Sequence, residues 1–497
     1  MFMYNYRYLD ENFWNCIFYP KTCPSDRYCR TDVLSLRQRY VTNTTYRAME
    51  QDEVRIPSRE EIEQWMTTAE QGDAEAQYQL GICYANGYGV KLDTRKAVEL
   101  YYNATKQGHA EAQYQLGNSY YYGYGVNRDY ERAAKCFEQA AKQGVAKAQY
   151  HLGDCYRYGN GVKEDWEHAK HWYQQAAEKD DADAMFALSS CCRDCEESLA
   201  WCEKAALSGN AEAQYHMGMS YEYGDMVRAS FNKALYWYTR AAEQGHEEAQ
   251  ECKEQMENER EEASLWIHQS EQGDTEVLYN LAKCYEEGIG MEHDYKLAKR
   301  YYTLVYETEE REDVIDRLLD KKFYNEKMGL LDKLIQVDEW EEMAEQGDGE
   351  AMLELSKYYE YNTDSEEELN PERAIYWLRK ATERGNALAQ VLLGSHYELG
   401  IVVFSDYKEA FRLYMLAAEQ DDAWGQYEVG HCYERGIGTE KNIEEAIRWY
   451  AESAMLGDML SVESLERIRD YYALPEHQNL KYTSLAQAAL EKLNDKN

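Results

Sequence analysis

Proline is nearly missing: five occur in 497 residues, so most of the chain is free of the residue that breaks helices by removing a donor and crowding the preceding turn. Long apolar runs are missing too. No stretch of eighteen apolar residues occurs, and the opening MFMYNYRYLDENFWN has neither a basic n-region nor a continuous apolar core; neither a transmembrane span nor a secretory leader is expected, and a cytoplasmic location is. Positive charge is in short supply. Against 93 Asp and Glu stand 54 Lys and Arg, a net charge of −39, which repels DNA, RNA and anionic membrane faces, so neither nucleic acid binding nor membrane insertion is expected. A Gly-rich phosphate loop, a nucleophile elbow and an H-E-x-x-H pair are all absent. His168 and His171 in WEHAKHWY lie three apart on one helix face, but no third metal ligand can be named. The expectation is a chain with no catalytic residue and no cofactor.

What is present is a period. AEAQYQLGNSYYYGYGV from Ala110 recurs as AEAQYQLGICYANGYGV from Ala74, AKAQYHLGDCYRYGNGV from Ala146 and AEAQYHMGMSYEYGDMV from Ala211. The marker glycines Gly81, Gly117 and Gly153 are thirty-six residues apart. Weaker copies start at Thr275, Gly349, Ala387 and Ala423, with degenerate units around Ser189 and Lys253. Each unit continues as A-x-x-W/Y-Y/F-x-x-A-A-x-x-G, seen in ALYWYTRAAEQG from Ala234 and AIRWYAESAMLG from Ala446. Apolar positions at i, i+3, i+4 and i+7 make both segments helices. Joints such as Gly72-Asp73, Gly385-Asn386 and Gly457-Asp458 pair a left-handed C-terminal cap with an N-cap, so one helix ends and the next begins within two residues. Ala112, Leu116 and Tyr120 form a core stripe; Gly117 removes a side chain where a neighbouring helix comes close, and Val90, Val126 and Val162 are expected to tuck each G-x-G-V loop against its helix pair.

These two segments, at a fixed period over roughly residues 60 to 457, resemble the Sel-one-like repeat family, short helix-turn-helix relatives of tetratricopeptide repeats. The resemblance implies an all-α fold, a right-handed α/α superhelical solenoid of about ten 36-residue repeats, used mostly as a non-catalytic scaffold that binds a protein or peptide on its concave face. An alternative is a dedicated inhibitor or immunity-type protein for one basic target. A second alternative, a β-lactam or peptidoglycan-related hydrolase, is implied by the cysteine-rich branch of the family, whose C-x7-C staples this chain lacks.

Thirteen cysteines suggest disulfides or metal, and the repeat phase removes most of the case. Cys83, Cys155, Cys191, Cys284 and Cys432 all stand two residues after the marker, Cys136 and Cys202 replace aromatics of the second helix, and Cys252 replaces the core leucine. The exception is CCRDCEESLAWC, where Cys191, Cys192, Cys195 and Cys202 offer four thiolates. Cys191 and Cys202 are expected in the core and a second C-x2-C is missing, so no zinc site is expected. Cys192 and Cys195 are expected near a helix end, where the dipole raises a thiol pKa.

At about 100° per residue the first helix presents a stripe pointing away from its core: Glu111, Gln115, Asn118 and Tyr122. Its equivalents are Glu75, Gln79, Ile82 and Asn86; Lys147, His151, Asp154 and Tyr158; Glu212, His216, Met219 and Tyr223; and Trp424, Glu428, His431 and Arg435. The stripe varies while the core does not, which is what modular recognition needs. The partner-binding set expected is Gln79, Asn86, Gln115, Asn118, Tyr122, His151, Asp154, Tyr158, His216, Met219, Tyr223, Glu428, His431 and Arg435, with Tyr122, Tyr158 and Tyr223 as a tyrosine column that Tyr361 extends.

Along the chain, residues 1–57 form an unassigned Tyr- and Cys-rich segment, 58–250 a regular repeat block, 251–345 a degenerate zone that serves as a joint, 346–457 a second block and 458–497 a helical cap. The sequence between Ser189 and Gly218 is seven residues short of a full repeat, so a turn or helix there must be shorter. From Asp338 to Glu372 fourteen acidic residues accompany one basic residue, Lys357, and a local negative patch is expected, with Asp364 to Glu368 in a lengthened loop.

Overall fold

A computed structural model describes residues 56–192, 195–270, 274–307, 321–361, 370–477 and 479–496. The Tyr- and Cys-rich segment up to residue 55 and the acidic loop Asp364–Glu368 lie outside the described residues. Among the described residues there are 23 helices and no strand. Two compact units divide the chain, residues 1–213 and 214–497.

The N-terminal unit carries α1 (Arg59–Glu70), α2 (Ala74–Asn86), α3 (Thr94–Lys106), α4 (Ala110–Tyr122), α5 (Tyr130–Lys142), α6 (Ala146–Tyr158), α7 (Trp166–Ala177), α8 (Ala182–Ser189) and α9 (Cys195–Leu207). The boundary falls within α10 (Ala211–Tyr223). The C-terminal unit continues with α11 (Phe231–Glu243), α12 (Glu247–Ser270), α13 (Thr275–Glu287), α14 (Tyr295–Glu307), α15 (Lys321–Glu345), α16 (Gly349–Tyr361), α17 (Pro371–Glu383) and α18 (Ala387–Leu399). It ends with α19 (Tyr407–Ala418), α20 (Ala423–Arg435), α21 (Ile443–Met455), α22 (Met459–Ala473) and α23 (Leu480–Lys496).

The caps follow the sequence pattern. The Asp73 carboxylate accepts from Ala76 N at 2.7 Å, and Gly87 closes α2 at φ 76°. The two glycine markers do separate jobs. A Cβ on Gly153 would lie 2.6 Å from the ring of Tyr173, so the marker glycine of a first helix makes room for the buried aromatic of its own second helix. A Cβ on Gly161 would lie 2.0 Å from the carbonyl oxygen of Tyr130, so the second glycine of G-x-G lets the loop touch the start of the preceding unit's second helix. Val90, Val126 and Val162 pack against these cores as expected.

Units are also laced by a buried glutamine whose role the sequence did not reveal. Gln77 Nε2 donates to Ala69 O of the preceding helix at 3.2 Å, and its Oε1 accepts from Gln107 at 3.0 Å. Gln149 Nε2 donates likewise to Ala141 O and Gln143 to Gln113 Oε1, while Gln149 Oε1 is left without a partner. Buried amides need such partners, so Gln at this register joins adjacent repeats without an apolar contact.

Three departures matter. Where residues are deleted after Ser189 the helix itself shortens: α8 has 8 residues where α6 has 13, and it ends without a left-handed glycine. In and just before the zone from 251 to 345, α12 and α15 are single helices of 24 and 25 residues, uninterrupted by a left-handed glycine. A carboxylate from the loop after α13 then reaches the start of α11, where Glu292 accepts from Phe231 N at 3.2 Å and from Ser230 Oγ and Asn232 N at 2.9 Å. An anion at a helix N-terminus is favoured by the orphan N–H groups there.

The third departure is Val402, which stands at φ 64° where Gly89, Gly125, Gly161, Gly290 and Gly438 occupy the same loop position. A β-branched residue in the left-handed region costs roughly 1–2 kcal/mol, offset in part by the greater backbone entropy that glycine loses on folding. Val402→Gly is therefore expected to stabilise the protein by about 0.5–1 kcal/mol. Urea denaturation checks this, and a lower midpoint in the variant would count against the strain.

Candidate functional site

The expected stripe gathers into an unusual site in the N-terminal unit, where α4 and α6 carry it side by side. In the C-terminal unit the hydroxyl of the ring facing the marker position donates to a glutamate four residues after that position: Tyr302 to Glu286 at 2.7 Å, and Tyr414 to Glu398 and Tyr450 to Glu434 at 2.9 Å. In α6 that position is Arg157. Tyr173 donates instead to Asp154 Oδ1, one residue after the marker, at 2.7 Å. Burial pushes the Asp154 carboxyl up to about 6. Arg157 lies over the rings of Tyr158 and Trp166, 5.2 and 5.5 Å from their centroids, and its buried Nε has no hydrogen-bond partner.

Beside this pair His151 stacks on Phe137 and Tyr114, with centroids 5.3 and 5.6 Å apart. Burial between these rings pushes the imidazole down to about 4, and the charge of Lys147 adds to the effect, so His151 is neutral at pH 7. Asn118 Oδ1 is buried and without a partner. Gln115 is half-buried on the same helix, and its backbone carbonyl accepts from Ser119 Oγ at 2.9 Å. Tyr122 is half-buried: its ring meets Tyr121 edge-on at 4.9 Å and stacks on Tyr124 of its own G-x-G loop at 5.5 Å. Tyr158 is 46% exposed. The site thus combines an exposed aromatic with a neutral imidazole, a carboxyl poised near 6 and, beneath the surface, two unanswered polar atoms.

The remaining stripe residues are spread out. Gln79 donates to Glu75 Oε1 at 2.8 Å and Asn86 to Ile82 O at 3.0 Å, both within α2. In the C-terminal unit Met219 packs against the Phe231–Tyr238 core, His216 meets Tyr215 edge-on at 5.9 Å, and Tyr223 is exposed. Glu428 accepts from Trp424 Nε1 at 2.9 Å, His431 lies parallel to Tyr427, and Arg435 is exposed. Tyr361 is also exposed, at the end of α16. Arg157 and Trp166 were missed by sequence reasoning; the signal available was arginine at a register where other units place glutamate.

The cysteine expectations need two corrections. Cys83, Cys136, Cys155, Cys284 and Cys432 are buried, but Cys191, Cys202 and Cys252 are only half-buried. Cys195 begins α9 instead of lying near a helix C-terminus; its side chain falls outside the described residues. Cys192 is pushed up to about 12, first by burial and then by Glu197, which makes it a poor thiolate at neutral pH. Among the described residues no three His, Cys, Asp or Glu are placed to hold a metal ion. His168 instead pairs with Asp165 at 2.9 Å, and His171 meets Trp172 edge-on. No helix among the described residues is long and apolar enough to cross a membrane.

Among the described residues, part of the acidic run from Asp338 is engaged inside the C-terminal unit. Asp338, Glu341 and Glu342 face Arg228, Glu341 also pairs with Arg373, Glu339 with Lys296 at 2.9 Å, and Glu360 with His396 at 3.2 Å. The expected negative patch is therefore smaller than the residue count suggests.

Comparison with known proteins agrees with this architecture. The Sel1 repeat family model matches residues 74–109, 110–145, 146–181, 193–210, 211–246, 275–304, 349–386, 387–422 and 425–458. A curated relative, chitin synthase regulatory factor 3 of Schizosaccharomyces pombe, is 44% identical over 61 residues, 12% of this chain and 6% of its own length. Among solved structures, c5321, a protective antigen of uropathogenic Escherichia coli with an SLR fold, is 26% identical, with 88% of this chain and 94% of that one covered at a TM-score of 0.38. A Sel1 repeat protein from Oxalobacter formigenes is 24% identical, with 82% and 89% covered at a TM-score of 0.24. With nine matched segments spanning more than half of its residues, this chain belongs to the Sel1 repeat family.

Proposed function

We propose that this protein is a non-catalytic adaptor that holds a protein or peptide partner on the first-helix face of its N-terminal unit, centred on Asn118, Arg157 and Tyr158. Sel1 repeat proteins generally mediate protein–protein interaction, and one observation carries the reading to this place. Buried polar groups are almost always paired, yet Asn118 Oδ1 and Arg157 Nε lie unanswered in this unit, and the Arg157 guanidinium lies over the exposed Tyr158 ring. A partner that covers the exposed Tyr158 ring also meets the Arg157 guanidinium stacked on it, and aromatic and arginine side chains dominate such interfaces.

The test is capture of partners by the purified full chain, followed by the double substitution Asn118→Ala and Tyr158→Ala. Capture is expected to weaken at least about tenfold, or 1.4 kcal/mol, with the thermal midpoint nearly unchanged. Tyr122 is left intact because its ring packs on its own loop. Equal capture by the variant and the parent would remove the site. The net charge of −39 supports a narrower reading, an inhibitor dedicated to one basic target. One basic protein recovered in stoichiometric amount favours the inhibitor; several different proteins favour the general adaptor.

A further inference from the structure

The second residue of the first helix changes character along the chain. It is Glu75, Glu111, Lys147 and Asp183 in the N-terminal unit and Glu276 and Glu350 in the C-terminal unit, then Leu388, Trp424 and Leu460 in its last three repeats. These three share one register at a spacing of thirty-six residues. Their helices are neighbours: α18 packs against α20, and Arg467 of α22 holds both carboxylate oxygens of Glu434 of α20. The three side chains therefore form a row, stepped by the roughly 8–10 Å that separates packed helices. Leu388 is half-buried, while Trp424 and Leu460 are 42% and 54% exposed. Met455, Leu456 and Met459, at the last joint, widen the row and are 47%, 51% and 68% exposed. The hydrogen bond from Trp424 Nε1 to Glu428 fixes the indole in place.

Charge around the row has one dominant sign. The joints that lead into these helices carry Glu383, Glu419, Asp421, Asp422 and Asp458 against one cation, Arg384. The same joints in the N-terminal unit mix Lys106, Lys142 and Lys179 with Glu70, Asp73, Glu178, Asp180 and Asp181, and the row position there is polar. An apolar row bordered by carboxylates is complementary to apolar residues bordered by cations. A partner helix with apolar residues at i, i+7 and i+14 repeats every roughly 10.5 Å, close to the step of the row. A second copy of this chain would bring carboxylates against carboxylates, and an anionic membrane would be repelled for the same reason.

We infer that the joint edge formed by Leu388, Trp424 and Leu460 docks a basic amphipathic helix of a partner protein. This rests on the adaptor reading but uses a different surface, so the two can fail separately. The probe is a labelled helical peptide of about 18 residues with leucine on one face and lysine on the other, and its twin with glutamate for lysine. Binding to the full chain is followed by fluorescence anisotropy at physiological salt.

The lysine peptide is expected to bind and the glutamate twin to fail. The double variant Trp424→Ala, Leu460→Ser is expected to bind at least about tenfold more weakly, while Asn118→Ala, Tyr158→Ala leaves peptide affinity unchanged. Replacing Glu419 and Asp421 by lysine, a surface change that spares the packing, is expected to shift preference toward the glutamate twin. Unchanged affinity in the Trp424, Leu460 variant, with melting as for the parent, shows attraction by net charge alone and overturns the proposal. So does a dimer of the parent that this variant abolishes in sedimentation, since the edge would then belong to a second copy.

Discussion

Arg373→Ala is expected to lower the stability of the C-terminal unit by about 3 kcal/mol, the lower end of the range for stripping one partner from a buried ion pair. Glu341 is only 7% exposed. Its carboxylate receives Arg373 Nη2, the Tyr359 hydroxyl at 2.9 Å and, more distantly, Arg228 at 3.7 Å. Arg373 also donates through Nη1 to Gly224 O at 2.6 Å, a contact spanning 149 residues. Without the guanidinium a buried carboxylate keeps one hydroxyl and a distant cation, and the Gly224 carbonyl loses a donor. Arg228 keeps the loss at the low end. Arg373→Lys should recover only part of it, because one ammonium cannot serve both acceptors with the same fork. Urea denaturation with hydrogen exchange on α15 and α17 checks this; a loss under about 0.5 kcal/mol would show that the pair contributes little.

The second large effect concerns acid. The folded-state pKa of His151 lies near 4, below the ordinary value of 6.5, so its stabilising contribution is full above pH 6.5 and is lost as pH falls toward 4. The folded-state pKa of Asp154 lies near 6, above the ordinary 3.8, so its contribution is full below pH 3.8 and is lost as pH rises through 6. Across pH 4 to 6.5 the two therefore oppose each other, each by up to about 3 kcal/mol. The parent should show a shallow pH dependence here. Asp154→Asn leaves His151 unopposed and should lose stability steeply on acidification, while His151→Gln should become more stable from pH 7 to pH 4.5. Denaturation midpoints at pH 7.0 and 5.0 decide the matter: two variants that keep the parent's slope would sink the idea.

These cases show how far the sequence could be read. Helix pairs, caps and marker glycines were legible because each is a property of one repeat, written several times in one chain. The stripe was legible as a register. Its chemistry was not: the stacking of His151 between Phe137 and Tyr114, and the transfer of the Tyr173 hydrogen bond from residue 157 to Asp154, depend on side chains of neighbouring helices. The half-burial of Tyr122 was not legible, since nothing in its register separates packing on its own loop from facing a partner.

By itself the sequence determined the repeat, its two helices, the joints, and a charge that turns away polyanions. Those features follow from local periodicity and composition, which need no knowledge of what lies across the molecule. Tertiary structure alone decided that Gln77 and its equivalents tie units together and that Glu292 caps α11. It also decided that Arg373 reaches Gly224 and that Asp338, Glu339, Glu341, Glu342 and Glu360 of the acidic run are answered from within. Each of these depends on contacts between residues from 8 to 149 positions apart, whose partners differ from repeat to repeat, so no single period could announce them.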